Sequence, residues 1–351
     1  TSHCHHSRRP GCVARRRCGP LPHSLLTTAR QTSALIVTTT SVAPLSSLIP
    51  GGLGSLQSFC DNPSIAEIMV VGGRHVWIEE RGRLRRVGEL MQGEFDVLVE
   101  RLLRSSRRRL DLMSPIVEAR LPDNSRLCAV LPPVSVDGGS LNIRRFTSHV
   151  RDLEQFCTDR QAAILRQAVC QRRNIVVSGA TSSGKTSLLA SLAALIDSNE
   201  RVVCIEDTAE LPLNCEHLVR LEGRPPNIEG QGHVSMQKLV RTALRLRPDR
   251  IVVGEVRGPE VVDMLTALHT GHRGCWTTCH ATSLHDTPQR LATMALGSDR
   301  GWDIQVAHDM VKSSVDVIVH MQRHGERREV AAIGLFERMS DGSVQLASVD
   351  K

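Results

Sequence analysis

The sequence predicts an α/β protein in which a mainly parallel sheet is covered by helices and preceded by a smaller α+β domain. Three observations predict it. Short apolar runs, NIVVSG, RVVCIED, RIVVGEV and GCWTTCH, alternate with helical patterns at 184–197, 235–247, 259–270 and 286–296. That alternation is how parallel strands joined by helical crossovers read in sequence. The first of these runs passes straight into a glycine-rich stretch, GATSSGKTS from Gly179, and then into a helix. Ahead of them, strand-like runs follow one another with a single helix between, as in a small α+β unit.

A chain of 351 residues is long enough for two domains with cores of their own. Its 40% hydrophobic and 23% charged residues are ordinary for a globular protein. No run of apolar residues is long enough to span a bilayer, so membrane association is expected through partners. The net charge of +7 is unevenly placed. Residues 1–60 hold six arginines and no Asp, Glu or Lys, leaving 38 basic against 37 acidic groups in the rest. A nearly neutral body argues against a nucleic-acid partner. Eleven cysteines without paired spacing read as reduced, cytosolic and mostly buried thiols rather than a disulfide framework. Cys275, Cys279 and His280 have the spacing C-x-x-x-C-H, which does not match haem attachment or a zinc pair. Only four of the 44 basic residues are lysines, and one of them, Lys185, lies in the glycine-rich stretch. A compact ammonium fits between phosphates where a planar guanidinium does not.

Residues 1–51, rich in Ser, Thr, Arg and Pro and without a sustained period, are expected to be a disordered or non-native leader. A displaced reading frame is ranked ahead of an organellar transit peptide, because the chain opens on Thr. Residues 52–145 form the α+β domain: IAEIMVV, HVWIEE and RLRRVGE as strands around an Arg81-Gly82 turn, a helix at 93–110, then PIVEARL, SRLCAVL and SLNIRRF. Residues 146–158 are a linker, and a helix follows in TDRQAAILRQAVCQRR with Thr158 as its N-cap. The second domain, 159–351, ends in a helix near 303–314 and three strand-like segments, VDVIVHMQ, REVAAIGLFER and SVQLASV, expected as an antiparallel extension.

Gly179, Gly184, Lys185 and Thr186 fit G-x-x-x-x-G-K-[ST] between a strand and a helix, so Gly179, Ala180, Thr181, Ser182, Ser183, Gly184, Lys185, Thr186 and Ser187 are assigned to the phosphates of ATP. Lys185 is expected on the β- and γ-phosphates and the Thr186 hydroxyl on Mg²⁺. Strand ends of such sheets face the nucleotide crevice. Glu255 is therefore placed to hold Mg²⁺ through water or to polarise the attacking water, unless it is an ordinary exposed glutamate. Glu206, ending a third strand, is either a second carboxylate of the site or a cap or salt-bridge partner. His280 is placed to bond the γ-phosphate and report its loss, against a purely structural role. His272 is weaker.

In this order, P-loop, IEDTAEL, RPDRIVVGEVRG and TGHRGCWTTCHATS, the motifs resemble the type II/IV secretion ATPases, where they are the Walker A, Asp-box, Walker B and His-box motifs. The stretch VRLEGRPPNIEGQGHVSMQKLVRTALRLRPDR looks closest to the CpaF-like tight-adherence (Tad) pilus ATPases. The resemblance runs over about 52–345. It implies a RecA-like P-loop ATPase domain, a hexameric ring, ATP and Mg²⁺ as ligands, and inner-membrane platform proteins of a pilus or secretion apparatus as partners of a cytoplasmic motor. It also implies that Arg126 and Arg144 of the first domain reach the phosphates when the domains close. Two departures stand out: Ala180 and Ser182 occupy positions where relatives frequently have glycine, which matters if those positions need positive φ. The leader and the missing tetracysteine zinc element also set the chain apart from other branches. A RecA-like DNA translocase and an assembly subunit that binds ATP without turnover are the competing readings.

Overall fold

The computed structural model describes residues 44–349, except 105, 107, 146–149, 227–229, 299–300 and 339–343. The expected leader, up to residue 43, and the start of the expected linker lie outside the described residues.

The first domain begins with two short helices, α1 (Leu45–Leu48) and α2 (Gln57–Asp61). Leu45, Ile49, Leu53 and Leu56 are buried, so the apolar core starts ahead of residue 52. Six strands follow: β1 (Ile65–Val71), β2 (His75–Glu80), β3 (Arg83–Glu89), and, after α3 (Glu94–Leu103), β4 (Ile116–Arg120), β5 (Arg126–Val130) and β6 (Ser140–Arg144). They pair antiparallel in the order β3-β2-β1-β6-β5-β4. Arg81 and Gly82 both take positive φ, the backbone that a tight hairpin turn between β2 and β3 demands. Burial alternates along β5 and β6: Leu127, Ala129, Leu141 and Ile143 face the core, and Arg126, Cys128, Asn142 and Arg144 face away. Helix α3 lays Phe95, Leu98, Val99, Leu102 and Leu103 on the apolar face. It stops at Leu103, short of the expected residue 110. Beyond that point the sequence offers no apolar residue at helical spacing until Leu110, and the Ser106 hydroxyl donates to the Leu103 carbonyl (2.7 Å).

The second domain opens with α4 (Asp159–Cys170), whose N-cap Thr158 accepts from the Gln161 N–H while the Gln161 side chain accepts from the Thr158 N–H, a complete capping box. Then come β7 (Ile175–Gly179), α5 (Lys185–Ala193), β8 (Val202–Glu206), β9 (Leu218–Glu222), α6 (Met236–Ala243), β10 (Arg250–Val253), α7 (Glu260–His269), β11 (Cys275–Cys279), α8 (Asp286–Leu296), α9 (Ile304–Ser314), β12 (Val317–His324), β13 (Arg327–Arg338) and β14 (Val344–Ser348). The strand order is β14-β13-β12-β7-β11-β10-β8-β9. Every residue of β7, β8, β10 and β11 is buried. Alternate side chains feed two apolar clusters: Ile175, Val177, Val202 and Trp276 pack with α4 and α5, whereas Val176, Val203, Ile251 and Cys275 pack with α6 to α9. Parallel strands covered on both sides read as unbroken apolar runs for this reason.

Two expectations change. Strand β12 is not part of an antiparallel extension: it joins the parallel sheet beside β7, and only β13 and β14 run antiparallel. Strand β9, unread in the sequence, is a half-exposed edge with Arg220 at its centre, which breaks the apolar run a buried strand would have. Helices α5 and α6 end earlier than their patterns because the chain tightens into shorter turns, with Leu195 donating to Leu192 and Leu246 to Ala243. No helix among the described residues is long and apolar enough to cross a membrane.

Candidate functional site

The site is built by strand order. Neighbouring strands lie about 4.8 Å apart, so β12, β7, β11 and β10 deliver their carboxyl ends to one small region of the sheet edge. Strand β7 ends at Gly179, where φ is +146° and an added Cβ would run into the Met321 carbonyl of β12. Gly184, at φ +98°, starts α5. Both glycines are therefore required by the backbone path. Of the two departures noted in the sequence, Ser182 does sit at positive φ (+59°), and Ala180 does not.

Within the loop, Lys185 is 7% exposed and its ammonium donates to the carbonyls of Gly179 (3.1 Å) and Ala180 (2.9 Å). Burial pushes its pKa below the ordinary lysine value. Ser183 is buried with a hydroxyl that has no hydrogen-bond partner among the described residues, whereas Thr181, Ser182 and Thr186 are exposed and Ser187 half-buried. His280 follows the end of β11, next to β7, and its Nδ1 lies 3.4 Å from the Lys185 ammonium. Its Nε2 lies 2.8 Å from Glu255 Oε1. Desolvation first, and Lys185 second, lower the His280 pKa, so the ring is neutral near pH 7. Glu255 follows β10 and is fixed by two backbone-directed contacts on either side of it: the Thr278 hydroxyl donates to the Gly254 carbonyl (2.8 Å), and Val256 N–H to the Thr278 carbonyl (2.9 Å). Its second oxygen accepts from Arg257 (2.6 Å). Lys185, His280 and Glu255 thus form one chain of contacts at the edge.

Glu206 is not part of that chain. Its strand is three spacings from β7, roughly 14 Å. Its Oε1 accepts the N–H groups of Glu210 and Leu211 (both 2.8 Å), and its Oε2 the Cys204 thiol (3.4 Å). It is 5% exposed, and burial raises its pKa. The geometry gives it the capping role that the sequence left open. Arg126 pairs with Glu118 (3.1 Å) and approaches Glu210 of the second domain (3.9 Å). Arg144 stands opposite Arg126 across β5 and β6, more exposed, with Glu67 at 3.6 Å. Among the described residues, neither is hydrogen-bonded or ion-paired to the loop.

Sequence reading missed His320, Asp286, Arg290 and Arg323. With Gly179 and His280 they line a cleft of about 880 Å³ beside the loop. His320 is paired in register with Ser178 and lies 3.1 Å from its hydroxyl, which in turn accepts from Thr287 (2.9 Å). The one available signal was a histidine inside the apolar run VDVIVHMQ. The oxygen donors Thr186 and Glu255, the glycine-lined cradle and the unpaired Ser183 hydroxyl fit a phosphate chain with a hard divalent cation. Among the described residues no three His, Cys, Asp or Glu side chains gather as a metal-binding group of their own.

Residues 51–332 match the family model described as type II/IV secretion system protein. A Mycobacterium tuberculosis protein provisionally named for conjugal transfer is 38% identical over 312 residues, which is 85% of this chain and 88% of that protein. The type IV secretion system protein PtlH of Bordetella pertussis is 32% identical, over 80% of this chain and 93% of its own. In fold, the chain is similar to the Legionella pneumophila ATPase DotB, with a TM-score of 0.58 and 23% identity over 78% of each chain. The pilus retraction motor PilT with bound ADP gives a TM-score of 0.53 at 17% identity, over 81% of this chain and 78% of that one. These last two likenesses concern the fold alone.

Proposed function

Because this chain belongs to the type II/IV secretion system protein family, we propose that it is an ATP-hydrolysing motor that powers a secretion, conjugal-transfer or pilus machine at the inner membrane. The family is one of ATPases, and this chain is an ATPase with an α/β, RecA-like fold. The observation that carries the finer reading is the contact chain Lys185–His280–Glu255 at the mouth of the Gly179–Ser187 loop.

The loop residues Gly179, Ala180, Thr181, Ser182, Ser183, Gly184, Lys185, Thr186 and Ser187 hold the phosphates. Lys185 now satisfies the carbonyls of Gly179 and Ala180, and it exchanges these for β- and γ-phosphate oxygens when ATP binds. Thr186 directly, and Glu255 through water, would hold Mg²⁺, which neutralises charge on the phosphates. Glu255 orients and deprotonates the attacking water. The neutral His280 links Glu255 to Lys185 and so senses whether the γ-phosphate is present. Glu206 positions the segment after β8 rather than touching the reacting atoms. Arg144 and Arg126 bring positive charge from the first domain on closure, and product release reopens it. The chain works in the cytoplasm as a homohexamer on inner-membrane platform proteins, with no nucleic-acid partner, in the CpaF-like branch.

Phosphate release by the full chain with Mg-ATP tests this. Lys185→Ala is expected to remove turnover, and Glu255→Gln to keep ATP binding while lowering kcat by about 10²–10⁴-fold. Normal turnover in the Lys185 variant would overturn the site.

A further inference from the structure

Arg328, near the start of β13, escaped notice in the sequence as one arginine among forty. In the structure its stem lies on the loop: a Cβ added to Gly184 would meet Arg328 Cδ at 3.1 Å and Arg328 Cβ at 3.2 Å. Its Nε is buried and has no hydrogen-bond partner among the described residues. The charged groups that face it come from four other elements or segments: Arg151 ahead of α4, Arg323 on β12, Arg144 on β6 and a single acid, Glu79 on β2. Burial, and then these cations, lower its pKa from the usual guanidinium value. Gathering four guanidinium groups around Glu79, with Glu67 beside Arg144 alone, is unfavourable by itself, because desolvation and like-charge repulsion act together. Such a cluster becomes favourable when a polyanion enters it.

We propose that Arg328 is a further phosphate-binding residue of the nucleotide site, its guanidinium closing on the α- and β-phosphates of the nucleotide held over Gly184. Those two phosphates are the ones a loop of this type cradles with its backbone. Arg144, which the family resemblance carries to the phosphates, then acts through the same cluster. The inference rests on the nucleotide-site reading above and adds a contact from β13, the strand beyond β12.

Calorimetric titration of the full chain with ADP and with a non-hydrolysable ATP analogue tests it, using wild type, Arg328→Gln, Arg328→Lys and Lys185→Ala. Arg328→Gln is expected to weaken both ligands by about 10–100-fold, the range of a charge-assisted contact. Arg328→Lys recovers part of the loss. The ligand-free Tm of the Gln variant stays level or rises, since a repelling cation has gone. ADP affinity within about threefold of wild type in Arg328→Gln, with Lys185→Ala clearly weakened, overturns the role of Arg328 and leaves the site standing. A loss confined to the ATP analogue, or one accompanied by a fall in ligand-free Tm, also overturns it. No binding by wild type overturns both readings.

Discussion

The two sheets of this protein handle polar residues in opposite ways. In the antiparallel sheet of the first domain one face is largely exposed and mixes polar side chains with apolar ones such as Trp77 and Ile116, and Arg120, Arg126 and Arg144 line up on it across β4, β5 and β6. In the parallel sheet both faces are buried, and the chemistry is pushed to the strand ends, where Gly179, Glu255 and His280 meet. A polar residue at the end of a buried strand is therefore informative, whereas one among many on an open face is not.

The sharpest exception inside the parallel sheet is Arg250. It is 2% exposed, donates to Glu200 through Nε (2.7 Å) and Nη2 (3.0 Å) and to the Val169 carbonyl (2.8 Å), and lies 5.1 Å over the Trp276 ring. Glu200→Gln leaves that charge without its partner and is expected to cost about 3–5 kcal/mol in chemical denaturation. The contrasting pair Arg120–Glu222 (2.7 Å) is partly exposed, and Glu222→Gln should cost less than about 1 kcal/mol. Equal losses from the two would break the comparison.

Next in size is the loop itself. Ser182 holds a left-handed backbone that costs a non-glycine residue about 1–2 kcal/mol, partly offset by the entropy glycine loses on folding. Ser182→Gly should therefore stabilise the ligand-free chain by roughly 0.5–1 kcal/mol, read as a Tm increase of a few degrees at most. A lower Tm would mean the serine side chain supports the loop.

The smallest effect concerns His320, a polar group in an apolar parallel strand. Burial lowers its pKa below 6.5 in the folded chain, so just below pH 6.5 the unfolded chain binds more protons and stability falls as the pH falls. His280 has the same sign and remains in the variant. His320→Asn should thus shrink, without abolishing, the Tm loss between pH 7.5 and 5.5, and an unchanged loss would assign the pH dependence elsewhere.

Most strands were legible from apolar runs, and so was the placing of Lys185, Glu255 and His280 near one sheet edge, because each follows a buried strand that the run length reveals; their contacts with one another were not. Edge strand β9 was not, since Arg220 interrupts it, and β12 was read as antiparallel because nothing in VDVIVHMQ encodes its neighbour. Glu206 and Glu255 look alike in sequence, each closing an apolar run, yet one caps the segment after β8 and the other meets His280.

By itself, then, the sequence determined the α/β class, the glycine-lined loop and the kind of chemistry it supports, because local backbone demands and burial on both faces leave a periodic trace. Only the tertiary structure decided which charged residues belong to the site. Strand order placed β11 between β7 and β10 and kept β8 outside, and the return of β13 laid Arg328 over Gly184. The Lys185–His280 and Gly184–Arg328 contacts join residues 95 and 144 positions apart in the chain, and no short-range pattern records such a distance.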